Sequence, residues 1–216
     1  MIPNRSSRSE RVLAVALTAL VFASLSTVAR AGVGQTVPEC FANPPRLAGD
    51  GSFLLPQTSA PCDELNEILL TTDQKDIAWI PGGGLNAILG LAEGGFATGS
   101  YTLHFRVSER FNRAFEGRYE LVRFANDEAR ARSGSWWTTL EAVTSEGGKL
   151  LTASDLETRL ALPQDSVPHV VAYSAGVAVG TIGYFGIAAP AFGRAGGAVQ
   201  FWFPSEPVFT RETDPL

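Results

Sequence analysis

Residues 169–193 contain no Asp, Glu, Lys or Arg. A run of that length either crosses a membrane or lies inside a protein, because about 20 apolar residues suffice for a span. Gly176, Gly180, Gly183, Gly186 and Pro190 interrupt it. Its β-branched residues alternate over short distances, which favours two buried strands with turns over a membrane helix. The run leads into a three-part stretch. Gly186 to Phe192 is apolar and ends in a turn. Gly193-Arg-Ala-Gly-Gly197 is a loop with three glycines and one cation, and Ala198 to Phe203 has the composition of a strand. Strand side chains alternate faces, so Gln200 shares a face with Ala198 and Trp202, while Val199, Phe201 and Phe203 point the other way. A buried amide must find hydrogen-bond partners or cost free energy. Gln200 is therefore either a satisfied core amide or the polar floor of an aromatic-walled pocket.

The amino terminus has the layout of a secretory signal peptide. Arg5, Arg8 and Arg11 precede an apolar run from Val12 to Val28, and Ala29-Arg-Ala31 offers a small-x-small cleavage site. The alternative is a retained membrane anchor. With cleavage after Ala31, 185 of the 216 residues remain. The signal carries away four of the 17 basic and one of the 22 acidic residues, which leaves the mature chain at net −8. That charge argues against general nucleic-acid or anionic-membrane binding. The expected location is secreted or periplasmic. Cys40 and Cys62 are the two cysteines, and export makes a bridge between them the expectation. Together with the widely separated His104 and His169 they make no zinc spacing, so no metal is expected.

Residues 32–100 read as an irregular and helical lead segment carrying the disulfide, and residues 101–216 as the core domain. In the lead, Asp63 to Leu70 is a helix candidate, Ile77 to Ile80 a short strand, and Leu85 to Leu91 a second helical run. Pro81-Gly-Gly-Gly84 lacks the spacing of a phosphate-binding loop and reads as a turn. Tyr101 to Val107 alternates as a half-buried strand, with His104 on its exposed polar side, and Ser108 to Phe115 suggests a helical turn. Tyr119 to Phe124 is a further strand.

Seven of the mature chain's 13 basic residues are arginines between positions 106 and 132. Arg123 stands apart, because it lies between Val122 and Phe124 at the end of an apolar strand. Its planar fork suits a carboxylate or phosphate; an internal salt bridge is the competing account. In Ser133-Gly-Ser-Trp-Trp-Thr-Thr139 the adjacent Trp136 and Trp137 point to opposite faces, one for the core and one for a cleft where an indole stacks on a planar ring. Ser154-Asp-Leu-Glu157 has a capping-box pattern and opens a helix that Pro163 ends.

Four of these segments, in this order, resemble a known group: Tyr119-Glu-Leu-Val-Arg-Phe124, Gly134-Ser-Trp-Trp-Thr138, Leu160-Ala-Leu-Pro163 and Ala188-Ala-Pro-Ala-Phe-Gly-Arg-Ala-Gly-Gly-Ala-Val-Gln200. They look like the NAD-cleaving, tuberculosis-necrotizing-toxin-like branch of the ADP-ribosyltransferase superfamily, over residues 117 to 203. The resemblance implies an α+β fold with short helices and a split core of two small sheets around a cleft for NAD. It implies that Arg123 holds a phosphate, that Trp136 or Trp137 flanks the nicotinamide half, and that Gln200 orients the nicotinamide ribose. Phe192, Arg194, Gly196 and Gly197 of the glycine-rich segment would complete the NAD site.

The implied activity is that of a secreted NAD glycohydrolase or ADP-ribosyltransferase-like toxin. NAD is the partner, and a target-cell protein has room as a second. The departures are two. Classical transferases carry Gln/Glu-x-Glu on the late strand, whereas Gln200-Phe-Trp202 has no second carboxylate, and Glu206 lies past Pro204. The histidine expected in the necrotizing-toxin branch has only His169 as a counterpart. Hydrolysis asks for less than transfer, since nicotinamide leaves neutral and the site need only stabilise an oxocarbenium-like ribose and admit water. The alternative is an exported, non-enzymatic ligand- or protein-binding domain that retains the fold.

Overall fold

The computed structural model describes residues 37–46, 48, 49, 53, 60–115, 119–124, 134–163 and 176–204. The chain divides into two compact units, Met1–Ala31 and Gly32–Leu216, and every described residue belongs to the second. The expected signal segment, His169, Glu206 and the first of the two strands expected in the charge-free run all lie outside the described residues.

The fold is α+β. Six strands form one antiparallel sheet: β1 (Ala78–Pro81), β2 (Tyr101–Arg106), β3 (Leu121–Val122), β4 (Trp136–Thr139), β5 (Ile182–Ile187) and β6 (Val199–Trp202). Their order is β1-β2-β5-β6-β4-β3. The resemblance implied two small sheets. Here the two halves join through the β5–β6 ladder, where Tyr184 pairs with Trp202 and Gly186 with Gln200. Among the described residues five short helices surround the sheet: α1 (Glu39–Ala42), α2 (Ala60–Thr71), α3 (Gly82–Ile88), α4 (Glu109–Phe115) and α5 (Ala153–Leu160).

Period-two alternation gives the sheet a sealed back. Leu103, Phe105, Phe185, Val199, Phe201 and Trp137 point there, into one buried cluster with Leu65 and Ile68 of α2 and Phe111 and Phe115 of α4. Phe111 and Phe115 stack at 4.3 Å, and Phe201 meets both edge-on. Cys40 and Cys62 are joined in a disulfide that ties α1 to α2. Closing that 22-residue separation restricts the unfolded chain by about 3 kcal/mol in the chain-entropy account. The lead segment is therefore part of the same core as the late strands. A second, smaller cluster joins Val122 and Phe124 to Val143, Leu156 and Leu160 on the front.

Three local expectations are corrected. The triple glycine is the first turn of α3, not a turn before it. A Cβ on Gly82 would come within 2.5 Å of the Ala97 carbonyl, so only glycine lets the helix start against that loop. Thr152, rather than Ser154, caps α5: its hydroxyl accepts from the Asp155 N–H and donates to the Asp155 carboxylate. The helix then ends at Leu160, before Pro163, because Ala161 adopts the left-handed cap conformation. His104, expected to be exposed, is half-buried with its ring 5.2 Å from Tyr184. Burial and neighbouring Arg106 lower its pKa, against the opposing pull of Asp76.

Candidate active site

The front of the sheet holds a cavity of about 490 Å³, within the size range of sites for small organic ligands. Its floor comes from β4 and β6, and one wall from Val122 to Phe124. Another wall is Leu160 to Pro163 at the end of α5. The rim is Leu91 and Glu93 to Gly95 on one side and Phe192 on the other.

Gln200 sits on the floor, 8% exposed. Its Nε2 donates to the Gly95 carbonyl at 2.6 Å. A carbonyl can only accept, so this bond fixes which end of the amide faces the loop. Oε1 has no partner among the described residues. The residue is thus both a partly satisfied amide and a lining group, which the two sequence accounts had set against each other. Its strand neighbour Phe201 is fully buried on the back.

The tryptophan pair divides between the faces. Trp137 is buried in the back cluster, and its Nε1 donates to the Gly134 carbonyl at 2.9 Å. Trp136 is half-buried on the front, with Phe96 at 5.4 Å and Trp202 at 6.3 Å between ring centres. Trp136 and Trp137 both contribute to the cavity lining, and Trp136 is the less buried of the two. Trp202 packs against Trp136 and Tyr184, with ring centres 6.3 and 5.3 Å apart.

Arg123 lines the same cavity, half-buried. Its Nη1 donates to the Trp136 carbonyl at 2.8 Å. The guanidinium lies over Gly134 so closely that a Cβ there would fall within 2.6 Å of Nη2. Phe192 is at the rim and 44% exposed. It begins a tight Phe192-Gly193 turn between Ala191 and Arg194, with φ of 52° and 73° at its two central residues. That is the primed hairpin geometry, an uncommon conformation for a bulky residue. The Phe192 N–H donates to Glu93 Oε1 at 2.6 Å, which holds the turn against the opposite rim.

Three of the residues that the resemblance assigns to the NAD site are not among the described residues lining this cavity. Arg194 pairs with Glu157 of α5 at 2.5 Å and is not a lining residue. Its Nη1 is buried without a hydrogen-bond partner among the described residues. Gly196 and Gly197 are turned to α5 and to the chain before the loop. The Gly196 N–H donates to the Thr158 carbonyl at 2.9 Å, the Ala198 N–H to the Arg159 carbonyl at 3.0 Å, and the Gly197 N–H to the Ala188 carbonyl at 3.0 Å. A Cβ on Gly196 would meet the Ala188 and Ala189 carbonyls at 2.5 and 2.7 Å. The loop's glycines thus allow a close approach to its own backbone, and the loop's N–H groups satisfy the last carbonyls of a helix.

The sequence places Leu91 at the end of a helical run, whereas the helix ends at Ile88 and Leu91 to Gly95 form a loop on the rim. Among the described lining residues Glu93 is the only acid and Arg123 the only cation. The available signal was Glu93-Gly-Gly95 itself, an acid beside two glycines after a helical run. No group of three or more metal-ligating side chains occurs among the described residues, and no helix among them is long and apolar enough to cross a membrane.

A second acid is unusual but lies on the sealed side. Glu64 of α2 is 2% exposed. The Thr139 hydroxyl donates to its Oε1 at 2.5 Å, and Oε2 has no partner among the described residues. Burial pushes its pKa up to about 8; Glu141 and Asp63 add to the rise, and the Thr139 hydrogen bond opposes it. It does not line the cavity.

With this geometry established, comparison with known proteins adds no family: no family model, no curated protein and no solved structure matches the chain.

Proposed function

We propose that the front cavity binds NAD and that the protein cleaves the nicotinamide–ribose bond with water, as a secreted NAD glycohydrolase. One observation carries the reading. Arg123, Trp136 and the pair Phe192 and Gln200 come from three separate segments and line a single cavity, as the resemblance implies. Arg123 holds a phosphate of the dinucleotide. The Trp136 face stacks on the nicotinamide ring. Gln200, its nitrogen held by Gly95, presents Oε1 to a ribose hydroxyl. The bond between ribose C1′ and the ring nitrogen breaks, the electron pair leaves with neutral nicotinamide, and water adds to C1′ and releases a proton. Apolar walls from Val122, Leu160 and Leu162 exclude most other water, which strengthens each polar contact.

A second reading has a specific observation in its favour. Trp202 fills the place of the transferase carboxylate, so a ligand-binding domain without turnover, or hydrolysis without transfer to a protein, fits better than a transferase. Incubating the exported protein with NAD and measuring free nicotinamide separates these readings. Release in proportion to protein supports hydrolysis. Binding of NAD without release supports the non-enzymatic domain.

A further inference from the structure

We infer that Glu93 senses the charge of the nicotinamide ring, so that the cavity selects oxidised over reduced pyridine nucleotide; this rests on the NAD reading above. The two forms share their phosphates, riboses and adenine and have nicotinamide rings of nearly the same size. They differ in that the oxidised ring is a pyridinium cation and the reduced ring is neutral. Shape alone separates them poorly, and Arg123 acts on the anionic half that both share. A negative group on the lining is what tells them apart.

Glu93 is that group. Among the described residues it is the only acidic one of the lining. Its Oε1 is engaged by the Phe192 N–H at 2.6 Å, so the carboxylate is held at the rim. Among the described residues Oε2 has no partner and Glu93 makes no ion pair. It shares a short loop with Gly95, whose carbonyl binds Gln200 Nε2. The carboxylate and the ribose-facing amide are thereby fixed relative to each other. Glu93 is exposed, so the discrimination is of the size of a solvated charge pair, about two- to fivefold, and it weakens as salt screens the site.

Glu93→Gln tests this, because glutamine keeps an acceptor for the Phe192 N–H and removes only the charge. Stopped-flow quenching of tryptophan fluorescence, read before turnover, gives dissociation constants for NAD and NADH. At low salt the unmodified protein should prefer NAD. In the variant the NADH-to-NAD ratio of dissociation constants should fall about two- to fivefold, through weaker NAD binding alone. High salt should produce the same fall in the unmodified protein. An unchanged ratio, or an equal loss of both nucleotides, overturns the role of Glu93 while leaving the NAD site standing. Failure of the unmodified protein to bind either nucleotide overturns both.

Discussion

Along β6, Phe201 points to the back of the sheet and Gln200 to the front, and the two neighbours live in different chemistry. The back is closed by α1, α2 and α4. Its side chains are aromatic and aliphatic, and the Phe201 ring lies 4.6 to 6.3 Å from Phe185, Phe105, Phe111, Phe115 and Phe203. The front is closed only in part. Phe96 and α3 cover Thr102 and Gly186, but a cavity remains over Gln200 and Trp136. The back supplies burial energy and rigidity, while the front presents polar groups whose partners are loops. A strand that must do both has to alternate, and β6 alternates without exception.

The largest expected difference is between these two neighbours. Phe201→Ala should destabilise the protein by about 3–5 kcal/mol, the usual result of emptying a packed aromatic site. Its melting temperature should fall, with specific activity of the remaining folded protein preserved. A small loss there would mean the back is less tightly packed than its ring geometry indicates.

The next effect breaks the comparison, because a polar group lies on the apolar side. Glu64 is protonated in the fold and ionised in the unfolded chain between the ordinary value of 4.5 and about 8. The folded state holds the extra proton, so stability falls as pH rises through that window and levels off above it. Glu64→Gln keeps an acceptor for Thr139 and removes the ionisation. It should raise stability at pH 8 by on the order of a few kcal/mol and change it little near pH 4. Thermal melts of both proteins across pH 4–9 check this, and parallel curves would refute it.

Gln200→Ala should do the reverse of Phe201→Ala. Turnover of NAD should drop on the order of 10²-fold, as for the loss of one preorganised hydrogen-bonding group. Stability should fall by about 1 kcal/mol, since the Gly95 carbonyl loses its partner. A lower melting point with full turnover would remove Gln200 from the mechanism.

Much of this contrast was legible before the structure. Val199, Phe201 and Phe203 against Gln200 and Trp202 is a period-two pattern, and Trp136 beside Trp137 divides for the same reason. Local alternation carries that information because each residue's face depends only on its neighbours. What could not be read was which distant segment meets each face. Gln200 bonds to Gly95, 105 positions away, and nothing local to either residue encodes that pairing. The contacts of the glycine-rich loop are hidden for a related reason: its composition is that of a ligand loop, and the partners it meets, the end of α5 and the Ala188 and Ala189 carbonyls, lie outside it. Arg194 looked available until Glu157, on another element, came within 2.5 Å.

The smallest effect tests whether the front recognises an anion by shape or only by charge. The Arg123 guanidinium is held flat between the Trp136 carbonyl and Gly134, an arrangement that a planar fork can adopt and a lysine ammonium cannot. Arg123→Lys keeps the charge and loses the fork. If Arg123 holds a phosphate by paired hydrogen bonds, NAD affinity should weaken by roughly 1–3 kcal/mol, the scale of one charge-assisted bond. The melting temperature should move less, because Arg123 is half-buried at the cavity and lies outside the packed clusters. Binding that is unchanged while the melting temperature falls would make Arg123 a structural brace for β4, and the anion-binding role would pass from this side of the cavity. Measuring both quantities on one variant keeps those outcomes apart, because a brace affects the fold whether or not ligand is present and a phosphate contact matters only when it is.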